Sequence, residues 1–453
     1  MRVHFIAIGG AIMHNMAIAL HKKGYDVSGS DDEIFDPART RLEGYGLLPE
    51  EFGWFPEKIN NDLDVIILGM HARSNNPELL RATEMGLKVF SFPEYFYEMS
   101  KDKIRVVIGG SHGKTTITSM ILHVLKHYGK DFDYLVGAQI SGFDTMVKIT
   151  EEAPILIAEG DEYLSSAIDM RPKFHLYHPH IAVISGIAWD HINVFPDFDM
   201  YVDQFRQFIR MLQPGGTLIY CKEDEIVNSI ASEALPETER IPYGVPAHDI
   251  INGKTHLIRN GISNAINVFG DHNLMNLEAA RLVCEKLGIS SDEFDAAISS
   301  FTGAARRLEH IAGNSTVDVF RDFAHSPSKL KATVDAARKQ YPDRKLIAIM
   351  ELHTFSSLNP AFLAEYKGTM DKADKAVVYF NPHAIEMKKM APITALEVQA
   401  AFGKDDLTVI TDSKEIVPLL ESEKSANTVF LLMSSGNFDN LDIQSIGTEL
   451  TNI

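Results

Sequence analysis

The chain has 453 residues, of which 45% are hydrophobic and 23% charged, and its formal net charge is −19. This length exceeds what one hydrophobic core holds, so we expect two or three domains. Such an acidic surface repels nucleic-acid phosphates and no basic run offsets it, which excludes a nucleic-acid partner. No apolar run approaches the length of a membrane span, which excludes a membrane partner.

Two further features favour a cytoplasmic location. The N-terminus runs directly into a strand-like segment, and we find no cleavable signal peptide there. Only two cysteines occur, Cys221 and Cys284, each among apolar neighbours. We interpret them as buried reduced thiols rather than as a disulfide or a metal site.

Short β-branched runs alternate with amphipathic stretches along the chain. Strands are predicted at residues 3–8, 65–68, 105–108, 155–158, 181–185, 217–220, 346–350, 376–379, 407–410 and 428–433, and a helix at 328–340. Several runs are apolar at consecutive positions, as strands covered on both faces are, so the pattern predicts an α/β fold with mostly parallel sheets. Polar bridges predict three domains, at residues 1–102, 103–313 and 314–453, while residues 233–264 stay unassigned.

The stretch Val106-Val107-Ile108-Gly109-Gly110-Ser111-His112-Gly113-Lys114-Thr115-Thr116 joins an apolar strand to a helix through a glycine-rich turn. Gly110 and Gly113 allow backbone amides to turn toward a polyphosphate at the helix N-terminus, where Lys114 adds a positive charge and the Thr115 hydroxyl can ligate Mg²⁺. The usual nucleotide loop is longer, and Ile108 stands where it needs a glycine. A turn that binds nothing is the alternative, but strand, loop, Lys-Thr-Thr and helix coincide, which favours phosphate binding.

Polar clusters follow two of the predicted strands. An acidic cluster, Glu159-Gly160-Asp161-Glu162-Tyr163, comes after residues 155–158, at the sheet edge where α/β proteins bind ligands. The alternative is a solvated acidic turn, which would have the same sequence pattern. Asp190-His191 follows residues 181–185. A lone histidine is usually structural, but an Asp-His pair at a strand end is compatible with metal or substrate contact.

Three later stretches and one early loop complete the pattern. A helix is predicted to begin at Gly270-Asp271-His272-Asn273-Leu274-Met275-Asn276. The pair Arg306-Arg307 is either an exposed basic pair or a functional one. A third polar stretch follows a strand and reads Asp322-Phe323-Ala324-His325-Ser326-Pro327. Near the N-terminus, Gly9-Gly10 lies in a dinucleotide-type loop whose first and last glycines are replaced, and such a loop alone does not identify a ligand.

Taken together, these motifs resemble the Mur ligases, which use ATP to join amino acids or peptides to UDP-N-acetylmuramic acid precursors of peptidoglycan. The resemblance spans nearly the whole chain. It implies a Rossmann-like N-terminal domain that holds UDP, a central P-loop ATPase-like domain and a Rossmann-like C-terminal domain.

The resemblance also implies roles for individual residues. ATP would be held by Gly110, Ser111, His112, Gly113, Lys114, Thr115, Thr116, His272, Asn273, Asn276, Arg307, Asp322 and His325, and Mg²⁺ by Thr115, Glu159 and His191. The small-molecule substrates would contact Gly9, Gly10, Ser30, Asp31, His71, Glu162, His191 and His353. Gly186 and Ala188 replace an Asn and a Glu of the family pattern. Any role of that Glu is therefore either absent from this protein or performed by another residue.

Two branches of the family fit, one adding L-alanine to UDP-N-acetylmuramate and one adding the tripeptide L-alanyl-γ-D-glutamyl-meso-diaminopimelate. The tripeptide is favoured by Tyr163 and by three runs, Asp169-Met170-Arg171-Pro172-Lys173-Phe174, Glu351-Leu352-His353-Thr354-Phe355-Ser356 and Met433-Ser434-Ser435-Gly436-Asn437-Phe438. The implied chemistry passes through an acyl phosphate, with Lys114, His191 and Arg307 as catalytic residues.

Two other hypotheses stay open at the level of sequence. One is an ATP-driven switch that has a phosphate loop but forms no bond, and the other is a catalytically silent relative. Loss of catalytic activity is disfavoured because four residues of the family pattern are intact, namely Lys114, Thr115, Glu159 and His191. The oligomeric state cannot be predicted from the sequence.

Overall fold

The computed structural model describes residues 1–140, 142–189, 194–303 and 307–452. The N-terminal sheet has the order β2-β1-β3-β4, and all its neighbouring strands pair in parallel. Its strands are β1 (Arg2–Ile6), β2 (Asp26–Ser30), β3 (Val65–Leu68) and β4 (Val89–Ser91), and its helices are α1 (Ala11–Lys22), α2 (Ala38–Gly44), α3 (Pro77–Glu84) and α4 (Phe92–Glu98).

The second sheet has seven strands in the order β11-β10-β9-β5-β8-β6-β7, parallel except for the β6–β7 pair. The strands are β5 (Ile104–Gly109), β6 (Asp133–Leu135), β7 (Val147–Lys148), β8 (Ile155–Glu159), β9 (Ile181–Ile184), β10 (Thr217–Cys221) and β11 (Glu239–Tyr243). Three helices accompany them, α5 (Lys114–His127), α6 (Phe198–Arg210) and α7 (Glu225–Ala231). β5 lies in the middle of this sheet, so the loop that follows it opens at the centre of the carboxyl edge.

The segment that the sequence left unassigned contains a small antiparallel sheet. Its strands β12 (His248–Ile251), β13 (Lys254–Arg259) and β14 (Ile262–Ile266) pair in sequence order. Both turns are Asn-Gly pairs with positive φ at each residue, 52° and 73° at Asn252 and Gly253 and 52° and 77° at Asn260 and Gly261. Asn-Gly is a strong hairpin signal because both residues tolerate this backbone.

The C-terminal sheet has six strands in the order β15-β16-β20-β17-β18-β19, antiparallel only between β15 and β16. After α8 (Asp271–Lys286) and α9 (Ser291–Ile298) come β15 (Glu309–Gly313), β16 (Val317–Asp322), β17 (Lys345–Leu352), β18 (Lys375–Phe380), β19 (Thr408–Ile410) and β20 (Thr428–Met433). The remaining helices are α10 (Pro327–Gln340), α11 (Pro382–Met387), α12 (Ala395–Phe402), α13 (Ile416–Ser422) and α14 (Ile443–Thr451). The prediction of an α/β fold with mostly parallel sheets is confirmed.

The chain forms two compact units. Unit 1 comprises Met1–Gly244 and Met275–Ala297, and unit 2 comprises Val245–Leu274 and Ile298–Ile453. The three domain boundaries drawn from the sequence stay a prediction. None of the helices in the described ranges has the length and apolar character that a bilayer crossing requires.

Both cysteines lie in unit 1 and are free and buried, Cys221 at the end of β10 and Cys284 in α8. Burial raises the pKa of each thiol above its ordinary value. The interpretation of the two cysteines as buried thiols is confirmed.

Candidate active site

The loop between β5 and α5 is built around two glycines. Gly110 has a φ of +130° and Gly113 a φ of +81°, and a Cβ atom would lie 2.2 Å from Ser185 Oγ at the first and 2.3 Å from Asn276 Oδ1 at the second. Any larger residue would clash at both positions. The loop therefore packs closely between the end of β9 and α8, and its backbone leads directly into the N-terminus of α5.

Lys114 is the first residue of α5, and its ammonium has two partners. Nζ donates to the Gly110 carbonyl and to Glu162 Oε2, each over 2.7 Å. Burial alone would lower the pKa of this ammonium, but the carboxylates of Glu162 and Asp161 outweigh it, so the pKa is raised and the group is charged. A fixed positive charge at a phosphate-binding loop is what a polyphosphate ligand requires.

Glu159 is the last residue of β8 and pairs in register with Ile108, the penultimate residue of β5. Its Oε2 accepts from Thr115 Oγ1 over 3.1 Å, while its Oε1 is buried and has no hydrogen-bond partner among the described residues. Burial raises the pKa of this carboxyl, although the Gly137 amide and Lys114 partly oppose the shift. An orphaned carboxylate oxygen beside a threonine hydroxyl suits a hard cation such as Mg²⁺, which prefers oxygen ligands.

Among the described residues no cluster of three or more His, Cys, Asp or Glu side chains has the arrangement to hold a metal ion. In nucleotide enzymes, phosphates and waters supply most of the Mg²⁺ ligands. The predicted ligand and catalytic residue His191 lies outside the described residues, so its role stays a prediction.

Asp161 and Glu162, just beyond β8, are held by different partners. Lys173 Nζ donates to Asp161, and although burial would raise the pKa of that carboxyl, Lys173 and Lys114 hold it below its ordinary value. Glu162 is 1% exposed and its Oε1 accepts from the Tyr201 hydroxyl over 3.1 Å. The sequence analysis missed Tyr201, because this residue lies in α6, 39 residues from its partner.

The other predicted nucleotide residues divide between the two units. In unit 1, Ser111 is buried beside Tyr201, Thr116 is buried in the first turn of α5, the carbonyl of His112 accepts from Ser185 Oγ, and Asn276 packs on Gly113.

In unit 2, Asp322 accepts from the amides of Leu308 and Ala324, both over 2.7 Å. Burial lowers the pKa of His272, with Asp322 partly opposing the shift. The guanidinium of Arg307 lies 4.7 Å from the ring centroid of Phe323, and the ring of His325 stands edge-on to the same phenyl group. Asn273 is buried and donates to the Phe269 carbonyl.

A cleft of about 850 Å³ lies at the carboxyl edge of the N-terminal sheet. Its lining includes the predicted substrate residues Gly9, Asp31 and His71, together with Phe35 and Trp54. Asp31 Oδ2 accepts from the Gly9 amide over 2.7 Å, and burial raises the pKa of its carboxyl. The volume is in the range of small-molecule and cofactor pockets.

Two other predicted residues border this region. Gly10 precedes α1, and the Ser30 hydroxyl is buried without a hydrogen-bond partner in the described part of the chain.

His353 follows β17 in unit 2 beside a buried carboxylate. Glu351 accepts from the Ser434 hydroxyl and from the Phe438 amide, and His353 Nδ1 lies 3.6 Å from its Oε1. Gly436 packs against both side chains, since a Cβ there would lie 2.8 Å from Glu351 Oε2 and 2.9 Å from the His353 ring. The runs after β17 and β20, which the sequence linked to the peptide, therefore meet at one sheet edge.

Family models match the chain in three successive segments. The Mur ligase family catalytic domain matches residues 2–104, the Mur ligase middle domain residues 108–284, and the Mur ligase glutamate ligase domain residues 306–436. A UDP-N-acetylmuramate–L-alanine ligase from Lactobacillus delbrueckii subsp. bulgaricus is 31% identical over 83% of this chain and 83% of its own length. The chain belongs to the Mur ligase family.

Solved structures of Mur ligases share the three-domain fold. The murein peptide ligase from Psychrobacter arcticus matches with a TM-score of 0.63 and 24% identity, covering 100% of this chain and 99% of its own. The UDP-N-acetylmuramate–alanine ligase from Thermotoga maritima matches with a TM-score of 0.68 and 22% identity, over 99% and 98%. Mur ligases are ATP-dependent and ADP-forming, so this chain is an ATP-dependent ligase of peptidoglycan synthesis, and the predicted family and enzyme class are confirmed.

Proposed function

We propose that this Mur ligase joins the tripeptide L-alanyl-γ-D-glutamyl-meso-diaminopimelate to UDP-N-acetylmuramate. The observation that carries the proposal lies within unit 1, where residues 137–140 and 142–146 contact both the Glu159 carboxylate and a nucleotide-sized cleft. Gly137 hydrogen-bonds the Glu159 carboxylate, and Gln139 and Met146 line the cleft of about 850 Å³.

Residues 144–146 are hydrogen-bonded to the N-terminal helices α1 and α2. Asn15 Oδ1 accepts from the Met146 amide over 2.9 Å, and Arg41 donates to the Asp144 carbonyl over 2.8 Å. Lys22 also pairs with the Asp144 carboxylate. A UDP-linked sugar acid bound in the cleft would therefore lie against residues 144–146, which these hydrogen bonds hold in place.

The first chemical step activates the sugar acid. An oxygen of the lactyl carboxylate attacks the γ-phosphorus of ATP, the bond to the β–γ bridging oxygen breaks, and ADP leaves with an acyl phosphate formed. The Lys114 ammonium compensates the negative charge on the phosphoryl group during its transfer. Such electrostatic stabilisation is the main contribution that proteins make to these reactions. Mg²⁺, bound through Glu159 and Thr115, would supply further charge neutralisation.

The second step forms the amide. The α-amine of the alanyl residue attacks the acyl carbon, the carbon–oxygen bond to phosphate breaks, and inorganic phosphate leaves. The amine must be neutral to attack, so a base accepts its proton. The roles of His191 in this step, and of Arg307, Asp322 and His325 in nucleotide binding, stay predictions from the family pattern.

The choice of amine rests on the residues that flank the two sites. Arg171 forms salt bridges with Asp169 and Glu94, and Lys173 forms one with Asp161. These ion pairs hold residues 169–173, which belong to the run that resembles the tripeptide branch. L-alanine is the alternative, favoured by the names of the curated relatives. A location in the cytoplasm, where ATP is available, is part of the proposal.

The test offers purified protein ATP, Mg²⁺ and UDP-N-acetylmuramate, with either the tripeptide or L-alanine, and measures phosphate release and the joined product. We expect release that requires both acceptor and amine and a higher kcat/KM for the tripeptide. A higher kcat/KM for L-alanine would reassign the amine. ATP hydrolysis indifferent to the acceptor would instead identify a switch that forms no bond.

A further inference from the structure

A chain of buried and partly buried hydrogen bonds connects the loop after β9 with the Lys114 ammonium. The Ala188 amide donates to Ser111 Oγ over 2.9 Å, and Ser111 Oγ lies 2.8 Å from the Tyr201 hydroxyl. Tyr201 donates to Glu162 Oε1 over 3.1 Å, and Glu162 Oε2 accepts from Lys114 Nζ over 2.7 Å. Among its contacts within the described residues, the Glu162 carboxylate thus accepts from the Tyr201 hydroxyl on one oxygen and from the Lys114 ammonium on the other.

The chain has one direction because each hydroxyl carries a single proton. The Tyr201 proton goes to Glu162, so the Tyr201 oxygen accepts from the Ser111 hydroxyl, whose own oxygen accepts from the Ala188 amide. Donors aligned in this way polarise one another and strengthen the last bond in the series. That last bond is the one to the Glu162 carboxylate.

Packing fixes the Tyr201 hydroxyl in place. The residue is fully buried in α6, and its ring contacts Phe195 and Phe205 with ring centroids 5.5 Å and 5.3 Å away. A hydroxyl held this way cannot follow a moving partner, whereas the long Lys114 side chain can turn about its own bonds.

We propose that Tyr201 is a positioning residue for ATP binding, which keeps the Glu162 carboxylate hydrogen-bonded when Lys114 turns from it to the triphosphate. The inference rests on the proposed placement of the triphosphate at Lys114. A buried carboxylate that loses a cationic donor is destabilised, and each donor that stays hydrogen-bonded to it offsets part of that cost. The Tyr201 hydroxyl therefore contributes more to the nucleotide-bound state than to the free protein.

The test replaces Tyr201 with phenylalanine and measures the Kd of Mg²⁺-ATP by calorimetry without acceptor or amine. We expect the Kd, and the KM for ATP, to rise about tenfold, the scale of one hydrogen bond to a charged group. The KM for UDP-N-acetylmuramate should stay unchanged and kcat should change by less than about twofold.

Tyr95→Phe is the matched control, because Tyr95 is also buried in unit 1 and its hydroxyl has no hydrogen-bond partner among the described residues. It should leave the Kd for ATP unchanged. A second variant, Glu162→Gln, removes the charge, and in that background Tyr201→Phe should change the Kd by less than about twofold.

Four results would each overturn part of the proposal. An unchanged Kd in Tyr201→Phe, or an equal rise in Tyr95→Phe, would overturn the role of Tyr201. An unchanged Kd in Lys114→Ala would overturn the phosphate site itself, and with it the proposed function. A tenfold rise that persists in the Glu162→Gln background would show that Tyr201 acts elsewhere and would also overturn the inference.

Discussion

Glu159 is the buried last residue of β8, and its Oε1 has no hydrogen-bond partner among the described residues. Its place could be predicted from sequence because an apolar run led directly into an acidic cluster, just as the glycines and Lys114 followed β5. The Tyr201 contact could not be predicted, since the helix that carries it is an ordinary amphipathic one. Local pattern identifies groups at strand ends, but partners brought together by packing leave no local sign.

The substitution Glu159→Gln should lower the apparent affinity for Mg²⁺ in the ligase assay about 10- to 100-fold, because a neutral amide replaces an anionic ligand. Burial raises the pKa of Glu159, so in the parent protein Mg²⁺ affinity should decline with falling pH sooner than for an ordinary carboxyl. Titration of activity with Mg²⁺ at several pH values measures both effects.

The control is Glu151→Gln, which changes an exposed glutamate. An equal loss of Mg²⁺ affinity in Glu151→Gln would contradict the assignment of Glu159 as a metal ligand.

At the scale of elements, the strands with consecutive buried apolar residues could be predicted, and the antiparallel sheet β12–β14 was missed. Its strands mix His, Asp, Lys and Asn with single buried residues such as Leu257, so their hydrophobic signal is weak. The Asn252-Gly253 and Asn260-Gly261 pairs carried the information instead, through the backbone conformation that they permit.

The turn that leads into β8 depends on a buried ion pair. Lys103 Nζ lies 2.8 Å from Asp133 Oδ2 and donates to the carbonyls of Thr150 and Ala153, while Asp133 also accepts from Thr150. Lys103→Met should lower the free energy of unfolding by about 3–5 kcal/mol, because it leaves a buried carboxylate without its cation. Urea denaturation measures the change.

Lys101→Met is the control for this pair, since Lys101 and its partner Glu98 are both exposed and such pairs contribute little. Its unfolding midpoint should match that of the parent protein. Equal losses in the two variants would show that the buried pair has no special part in holding this turn.

At the scale of the whole molecule, a net charge of −19 means that anionic substrates must be held by local groups rather than by the general field. The cleft and the loop between β5 and α5 both belong to unit 1, while Arg307, Asp322 and His353 belong to unit 2. UDP, the nucleotide part of the proposed acceptor, should therefore protect amides at residues 9–15, 31–41 and 142–146 from hydrogen exchange. The sheet β12–β14 should exchange as before, and protection confined to it would contradict the assignment of the cleft.

The two cysteines give the molecule a built-in reporter. Because Cys221 and Cys284 are both enclosed within unit 1 and their thiols resist ionisation, reagents that modify thiolates should reach them only when that unit opens. The rate of alkylation would then measure the rate of such openings without any engineered label, and a nucleotide or sugar ligand bound to unit 1 should lower the alkylation rate. For the same reason, a single cysteine introduced on the protein surface could carry a probe while Cys221 and Cys284 stay unmodified.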